Sequence, residues 1–321
     1  MYTIGIAGHY QDKHVTSLVD AVRSLGHKVC VLDFNGFPRY NLLSWGKAMS
    51  YDHLLESSGI DLARLDILLI RNIYCGPKIR MNNLAAFQES STMNYLALRS
   101  IQSLIAYLEK RIPVINTLYS AGYHSRKPSQ YHLLNRHGIS VPETLVANNR
   151  NQIKGFLKKH GHRVIVKPQA SGAEVVMADD AFFESMGDVL KKRPFIFQQF
   201  VQGRSFRAYL LGAEILSVGE IIFNREYVDW RERSEEIRHF EMPTELALEL
   251  KKAVRLLGLA YCAVDIEYDD ATGKFYFLDF NPSGLFTGWS KGVNINMAQC
   301  IADYLVKVLE HGKDIWIRGG E

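Results

Sequence analysis

The sequence predicts an α/β fold in its first third and an α+β arrangement in its C-terminal half. Three observations carry that prediction. Apolar strand-like runs alternate with helical stripes up to about residue 117, the pattern of a parallel sheet with helices on both faces. From about residue 118 the alternation gives way to hairpins. Within Tyr261–Trp289, two apolar runs, Cys262–Ile266 and Phe275–Phe280, flank a polar Asp-Asp-Ala-Thr-Gly-Lys turn, and each holds a carboxylate.

Tyr2–Ala7 reads as the first strand. Val15, Leu18, Val19, Val22 and Leu25 then recur at helical spacing and stop at Gly26. Lys28–Phe34 is a second strand and Leu65–Arg71 a third. A long helix carries Leu96, Leu98, Ile101, Leu104, Ile105 and Leu108, and Pro113–Asn116 is a short fourth strand. Gly5 and Gly8 fall at the first strand–helix turn. The dinucleotide fingerprint around them is incomplete and lacks an acidic residue placed for a ribose, so they read as turn glycines.

A helix with Leu133 and Leu134 comes next, followed by a strand over Arg163–Pro168 with Lys167 near its end. Gln169–Ala173 is a small-residue turn, and Phe195–Val201 an apolar strand punctuated by two glutamines. Arg207–Leu211 and Glu214–Ile222 form a hairpin around Gly212. The polar stretch Asn224–Met242 reads as a loop over a site. Thr244–Leu257 is a helix begun by Pro-Thr-Glu and stopped at Gly258, and Ile295–Glu310 is the last helix. The expected domains are 1–117, 118–200 and 201–321.

Composition narrows the function. With 47% hydrophobic and 22% charged residues the chain is an ordinary globular protein. A net charge of +4 is too mild to argue for nucleic acid, though it suits an anionic ligand. Cys30, Cys75, Cys262 and Cys300 lie far apart, with no metal-site or redox spacing. No apolar run approaches the ~18 residues of a membrane span, and no basic-then-apolar leader precedes the first strand. A cytoplasmic location without membrane or nucleic-acid partners is the expectation.

The carboxylates of the last hairpin point to a metal. Asp265 sits among Ala263, Val264 and Ile266, and Asp279 between Leu278 and Phe280. A bare carboxylate on a buried strand is costly unless something pairs with it. Asp279 and Asn281 share a face because strand side chains alternate. Three oxygen ligands with room for phosphates suit Mg2+ rather than zinc. Turn chemistry would account for Asn281 alone, but not for Asp265.

Strung together, the motifs of residues 118–310 resemble the ATP-grasp carboxylate ligases. Lys127 in SRKPSQYHLLNRHGISVPET is similar to the lysine before that family's Gly-Ile-x-Val-Pro-x-Thr, and Lys167 in VIVKP to its second nucleotide-contacting lysine. QASGA, with Ser171 and Gly172, resembles the flexible loop over the phosphates. FIFQQFVQG resembles the hinge that receives adenine, which implies Gln198, Gln199, Phe200 and Val201. SFRAYLLG resembles the strand with a phosphate-binding arginine, here Arg207, and VDIE with FLDFNP the magnesium hairpin of Asp265, Asp279 and Asn281. The resemblance implies an ATP-grasp fold preceded by a Rossmann-like pre-ATP-grasp domain, with ATP and Mg2+ as cofactors.

These residue types suit the chemistry. Two lysines and an arginine offset the charge of ATP, and a Gly/Ser turn offers backbone amides as an anion nest. Phe200 and Ile165 offer apolar contact to adenine. Three departures touch affinity: Asp279 where the family usually has Glu, Gln198-Gln199 where it has Gln-Glu, and Ser205 at an often acidic position.

EYVDWRERSEEIRHFEMPTELALELKKAVRLLGLAYCAVDIEYD further resembles the ligases that crosslink ribosomally made peptides, the graspetide or microviridin maturases. VLDFNGFPRYNLL is similar to their Asp-x-x-x-Phe-Pro segment. Their Trp-Tyr-Arg-Arg and Gln-Trp elements are missing. That resemblance implies a carboxylate phosphorylated by ATP, attack by an amine or hydroxyl acceptor, and Asp229 and Arg231 as substrate contacts beside Arg207, although an exposed ion pair between the two reads equally well. A homodimer is the expected assembly. A glutamate ligase acting on a protein tail or small molecule is the runner-up. An ATP-binding regulatory module without turnover is the alternative of another class.

Overall fold

The first apolar runs of the chain form the parallel sheet that their alternation with helices predicts. β1 (Thr3–Ala7), α1 (Lys13–Ser24) and β2 (Lys28–Leu32) come first. β3 (Asn41–Trp45), β4 (Met49–His53) and β5 (Ile60–Asp61) follow, then β6 (Ile67–Ile70), α2 (Leu84–Leu108) and β7 (Val114–Ile115). The computed structural model describes residues 1–34, 37, 41–45, 49–53, 60–73, 84–167, 175–212, 214–223 and 234–312. Met1–Leu118, Leu285–Lys291 and Ile295–Glu321 make one unit; Tyr119–Gly284 and Gly292–Asn294 make another.

In the first unit the sheet runs β2-β1-β6-β7, every pair parallel. α2 buries Ile101, Leu104, Ile105 and Leu108 with Ala7, Leu32, Leu68 and Ile70 of the strands, so its helical spacing fixes the face it presents. Asp12 caps α1 by accepting from the His14 backbone N–H, and the chain turns at Gly26 with a positive φ of 77°. β3, β4 and β5 form a small antiparallel sheet that the sequence pattern does not announce.

The second unit contains two antiparallel sheets. α3 (Leu118–Ala121) and a 3-10 turn at Gly122–Ser125 lead into α4 (Lys127–Arg136). β8 (Thr144–Ala147), α5 (Arg150–Lys159), β9 (Val164–Lys167), β10 (Val176–Met177), α6 (Asp180–Lys192) and β11 (Phe195–Gln199) build the first sheet, ordered β10-β9-β11-β8. Val164, Val166, Phe195 and Phe197 on one face pack against Ile153, Phe156 and Leu157 of α5 and Phe182 of α6.

β12 (Gly203–Leu211), β13 (Glu214–Phe223), β14 (Ser234–His239), α7 (Thr244–Leu256), β15 (Tyr261–Asp269) and β16 (Lys274–Asn281) build the second sheet, ordered β14-β13-β12-β15-β16. Its inner face, with Phe206, Ala208, Leu210, Cys262, Val264, Ile266, Phe277 and Phe280, closes on α7 and on Tyr131 and Leu134 of α4. α8 (Thr287–Val293) and α9 (Met297–His311) complete the chain, and α9 packs with α1 in the first unit.

Of the expected loop over Asn224–Met242, residues 224–233 lie outside the described residues, and the second half needs correction, because Ser234–His239 is the edge strand β14, paired with β13. Edge strands exposed on both faces carry charge rather than alternating apolar residues, and here Arg238 donates to Glu236 at 2.8 Å. Among the described residues no helix is long and apolar enough to cross a membrane.

Candidate functional site

Register brings the predicted chemistry together in the second sheet. Arg207 of β12 stands directly opposite Asp265 of β15, which stands opposite Asp279 of β16. The three side chains therefore form one row across the sheet, on the face away from the apolar core. A bulge creates part of that row. Pairing shifts between Asp265 and Ile266, so Ile266 faces Phe277 and Leu278 is the extra residue. This is why Phe277 and Phe280, three apart, both reach the core while Asp279 and Asn281 reach the site face.

α4 supplies the second layer. Lys127 and Tyr131 are one turn apart and share a face. Lys127 Nζ lies 2.5 Å from Asp279 Oδ1, with side-chain exposures of 9% and 20%. The Tyr131 hydroxyl donates to the carbonyl of the bulged Leu278 at 2.9 Å. From the first sheet, Lys167 is buried at the end of β9, with its Nζ 6.0 Å from the Tyr131 ring centre. Arg207 donates to Asp265 Oδ1 at 3.0 Å, again between mostly buried partners.

These contacts push the two carboxylates apart in acidity. Burial raises Asp265 above its ordinary pKa, only partly offset by the Arg207 charge. Burial acts in the same direction on Asp279, but Lys127 and then His124 outweigh it and hold that carboxyl low. Burial opposes the charge of Arg207, yet Asp265 holds the guanidinium above its usual value. His124 is pulled down by burial more than Asp279 pulls it up, and its buried Nδ1 has no hydrogen-bond partner among the described residues.

Among the described residues Lys127, Lys167 and Arg207 bring three cations to this site, which suits phosphate. The donor set also fits Mg2+. Among the described residues no group of three or more His, Cys, Asp or Glu is arranged for a metal. Two carboxylates and Asn281 make a hard, oxygen-only set that is incomplete without phosphate or water oxygens, as Mg2+ sites with nucleotides are. Asn281 also performs the turn role: its Oδ1 accepts from the Ser283 backbone N–H at 2.9 Å.

The hinge residues divide. Gln198 is fully buried and donates to Thr144 Oγ1 at 2.9 Å, so its side chain serves the sheet. The backbone N–H groups of Gln199 and Phe200 already donate to the carbonyls of Glu143 and Arg163. Val201 is buried just beyond the strand. Ser205 donates to Glu267 at 2.7 Å in the row beside Arg207. Ser171, Gly172, Asp229 and Arg231 lie outside the described residues. Tyr131 and His124 are site neighbours that sequence reasoning missed; their spacing from Lys127 along the helix and the turn before it is the signal that would have found them.

Comparison with known proteins supplies the rest. The family model of the RimK-like ATP-grasp domain matches residues 125–305, more than half of the chain. The solved structure of the ATP-grasp ligase PsnB complexed with a minimal precursor matches at a TM-score of 0.79 and 24% identity, over 95% of this chain and 99% of that one. The macrocyclase MdnC from Microcystis aeruginosa MRC, bound with its precursor peptide MdnA, gives 0.79 at 19% identity over 95% and 99%. A RiPP-associated ATP-grasp ligase of Chryseobacterium gregarium, in complex with ADP and a leader and core peptide, gives 0.76 at 20% over 96% and 97%. At these identities the likeness establishes the fold. No curated protein matches significantly.

Proposed function

Since the chain belongs to the RimK-like ATP-grasp family, we propose that it is an ATP- and Mg2+-dependent ligase that joins a carboxylate to an amine or hydroxyl of a ribosomally made peptide. One observation carries the reading: Arg207, Asp265 and Asp279 stand in a single register row, with Lys127 on Asp279 and Lys167 beside them. The precursor peptides held by PsnB and MdnC support the peptide as substrate class.

The residues divide the work. Lys127, Lys167 and Arg207 hold phosphate oxygens, and Arg207 stabilises the charge of the transferring phosphoryl group. Asp265, Asp279 and Asn281 hold Mg2+, which neutralises phosphate charge when bound. The resemblance of their motifs assigns Ser171 and Gly172 to phosphate, Gln199 to Val201 to adenine, and Asp229 and Arg231 to the substrate carboxylate. The substrate carboxylate becomes an acyl phosphate, and the acceptor displaces phosphate.

The test uses purified protein, Mg-ATP and a synthetic peptide rich in Thr, Lys, Asp and Glu, taken from a short open reading frame beside the gene. The expected result is ADP, phosphate and a peptide lighter by one water per bond formed. Asp265→Asn and Asp279→Asn should each lower turnover by at least ~100-fold, the scale of a lost electrostatic contact in phosphoryl transfer. Addition of free glutamate to the peptide instead would support the protein-tail ligase. Nucleotide binding without ADP formation would overturn the ligase.

A further inference from the structure

Each of the three side chains proposed to hold the metal already has an oxygen committed within the protein, and two of the partners are cations. Asp265 Oδ1 accepts from Arg207 at 3.0 Å, and Asp279 Oδ1 lies 2.5 Å from Lys127 Nζ. Asn281 Oδ1 accepts from the Ser283 backbone N–H at 2.9 Å. All of these residues belong to the unit Tyr119–Gly284, so one sheet and the helix packed on it set the pairs.

The two ion pairs are held differently. Arg207 and Asp265 stand opposite each other on neighbouring strands, and register fixes them. Lys127 reaches Asp279 from α4, 152 positions away in the chain. One turn further along α4, Tyr131 donates to the Leu278 carbonyl at 2.9 Å and pins the helix to the bulge beside Asp279. The helix is therefore fixed, and movement of Lys127 is confined to a flexible four-carbon stem that ends in a compact charge. The Lys127 side chain is 9% exposed and that of Asp279 20%. With so little water between them, charges act strongly on one another. A divalent cation on Asp279 would sit a few ångströms from the ammonium, and the two repel. Ammonium and metal compete for one carboxylate.

We propose that Lys127 is the internal counter-ion of Asp279: it keeps a bare divalent cation off this carboxylate, and the phosphates of the nucleotide admit the metal by drawing Lys127 away. This rests on the reading above of Lys127 as a phosphate contact and Asp279 as a metal ligand. A polyphosphate offers the ammonium a second anion within reach of its stem, and the carboxylate it leaves is free to ligate. Nucleotide and metal then bind with positive coupling, and the coupling is reciprocal. Lys127 is a positioning residue toward the metal, because it acts on the ion through Asp279. The consequence is an order of binding in which the metal enters with the phosphates or after them.

Mn2+ replaces Mg2+ in the test, since it favours the same oxygen ligands and the EPR signal of the free ion reports binding without turnover. Wild type and Lys127→Met, which keeps an unbranched stem and removes the charge, are each titrated with Mn2+ alone. They are then titrated with a non-hydrolysable ATP analogue in a metal-free buffer. Lys127→Met should bind Mn2+ at least ~10-fold more tightly than wild type, within the range usual for coupled sites, and bind the analogue more weakly. Opposite signs are the mark of exchange, because damage to the fold lowers both affinities. A Mn2+ affinity that does not rise, or an analogue affinity that does not fall, overturns the proposal. Adding Asp279→Asn to the Lys127→Met chain should remove the gain in Mn2+ affinity; a gain that survives places the ion elsewhere and overturns it too. Lys127→Gln, which leaves a neutral donor beside Asp279, gives the same comparison if the methionine variant does not fold. Calorimetry of wild type with Mg2+ and the analogue tests the underlying reading separately. No binding there overturns the nucleotide site and this proposal with it, whereas binding there with unchanged Mn2+ affinity in Lys127→Met overturns this proposal alone.

Discussion

His14 illustrates how burial decides a side chain's state. It is 3% exposed at the start of α1, and its Nδ1 accepts from the backbone N–H groups of Phe286 and Thr287 at 3.3 Å each. Burial lowers its pKa from 6.5 to about 4, and the Arg71 charge lowers it further than Asp12 raises it. The folded pKa lies below the unfolded one, so the unfolded chain takes up the proton first. Stability present above pH 6.5 is therefore lost as pH falls toward 4 and changes no further below that. Between pH 7 and pH 5 this histidine costs about 2 kcal/mol of unfolding free energy. Urea denaturation at both pH values measures it. His14→Asn keeps an acceptor near the Nδ1 position and should remove that part of the slope.

The β15–β16 hairpin is the element on which the site depends, and its close approaches are specific. A Cβ on Gly284 would come within 2.3 Å of the Ala263 Cβ, and Tyr261 fixes the same turn by donating to the Gly284 carbonyl at 2.8 Å. Ala263 pairs with Asn281, so a shift there moves a proposed metal ligand. Gly284→Ala should cost roughly 1–3 kcal/mol, the usual range for overpacking. Ala263→Gly in the same chain removes the collision and should recover most of the loss. A melting temperature unchanged by Gly284→Ala would show that the turn is looser than these distances imply.

On the scale of the whole molecule, nucleotide binding is linked to folding. A ligand held only by the folded chain stabilises it by about 2.7 kcal/mol at a hundred times its Kd. Mg2+ with a non-hydrolysable ATP analogue should therefore raise the melting temperature by a few degrees. Lys167→Ala should abolish most of that rise with little change in the unliganded melting point, because the substitution removes a proposed phosphate contact rather than an apolar core side chain. An undiminished rise in the variant would remove Lys167 from the nucleotide site.

The sequence by itself determined the order of the long elements, the parallel sheet of the first unit and the hairpin with its embedded Asp265 and Asp279. Those features are local: apolar periodicity, turn residues and the cost of an isolated carboxylate on an apolar strand are all written within a few residues of one another. Short or exposed elements such as β3, β5 and β14 were not legible, because they bury too little apolar surface to leave a period. Only the tertiary structure decided which residues meet. Lys127 lies 152 positions from the Asp279 it pairs with, and Tyr131 holds the carbonyl of a bulge 147 positions away. His9 and Asp33 meet because two parallel strands end side by side. Such pairings follow from strand register and from packing in three dimensions, where a one-residue shift exchanges the faces of a strand, and no pattern within either segment encodes its partner.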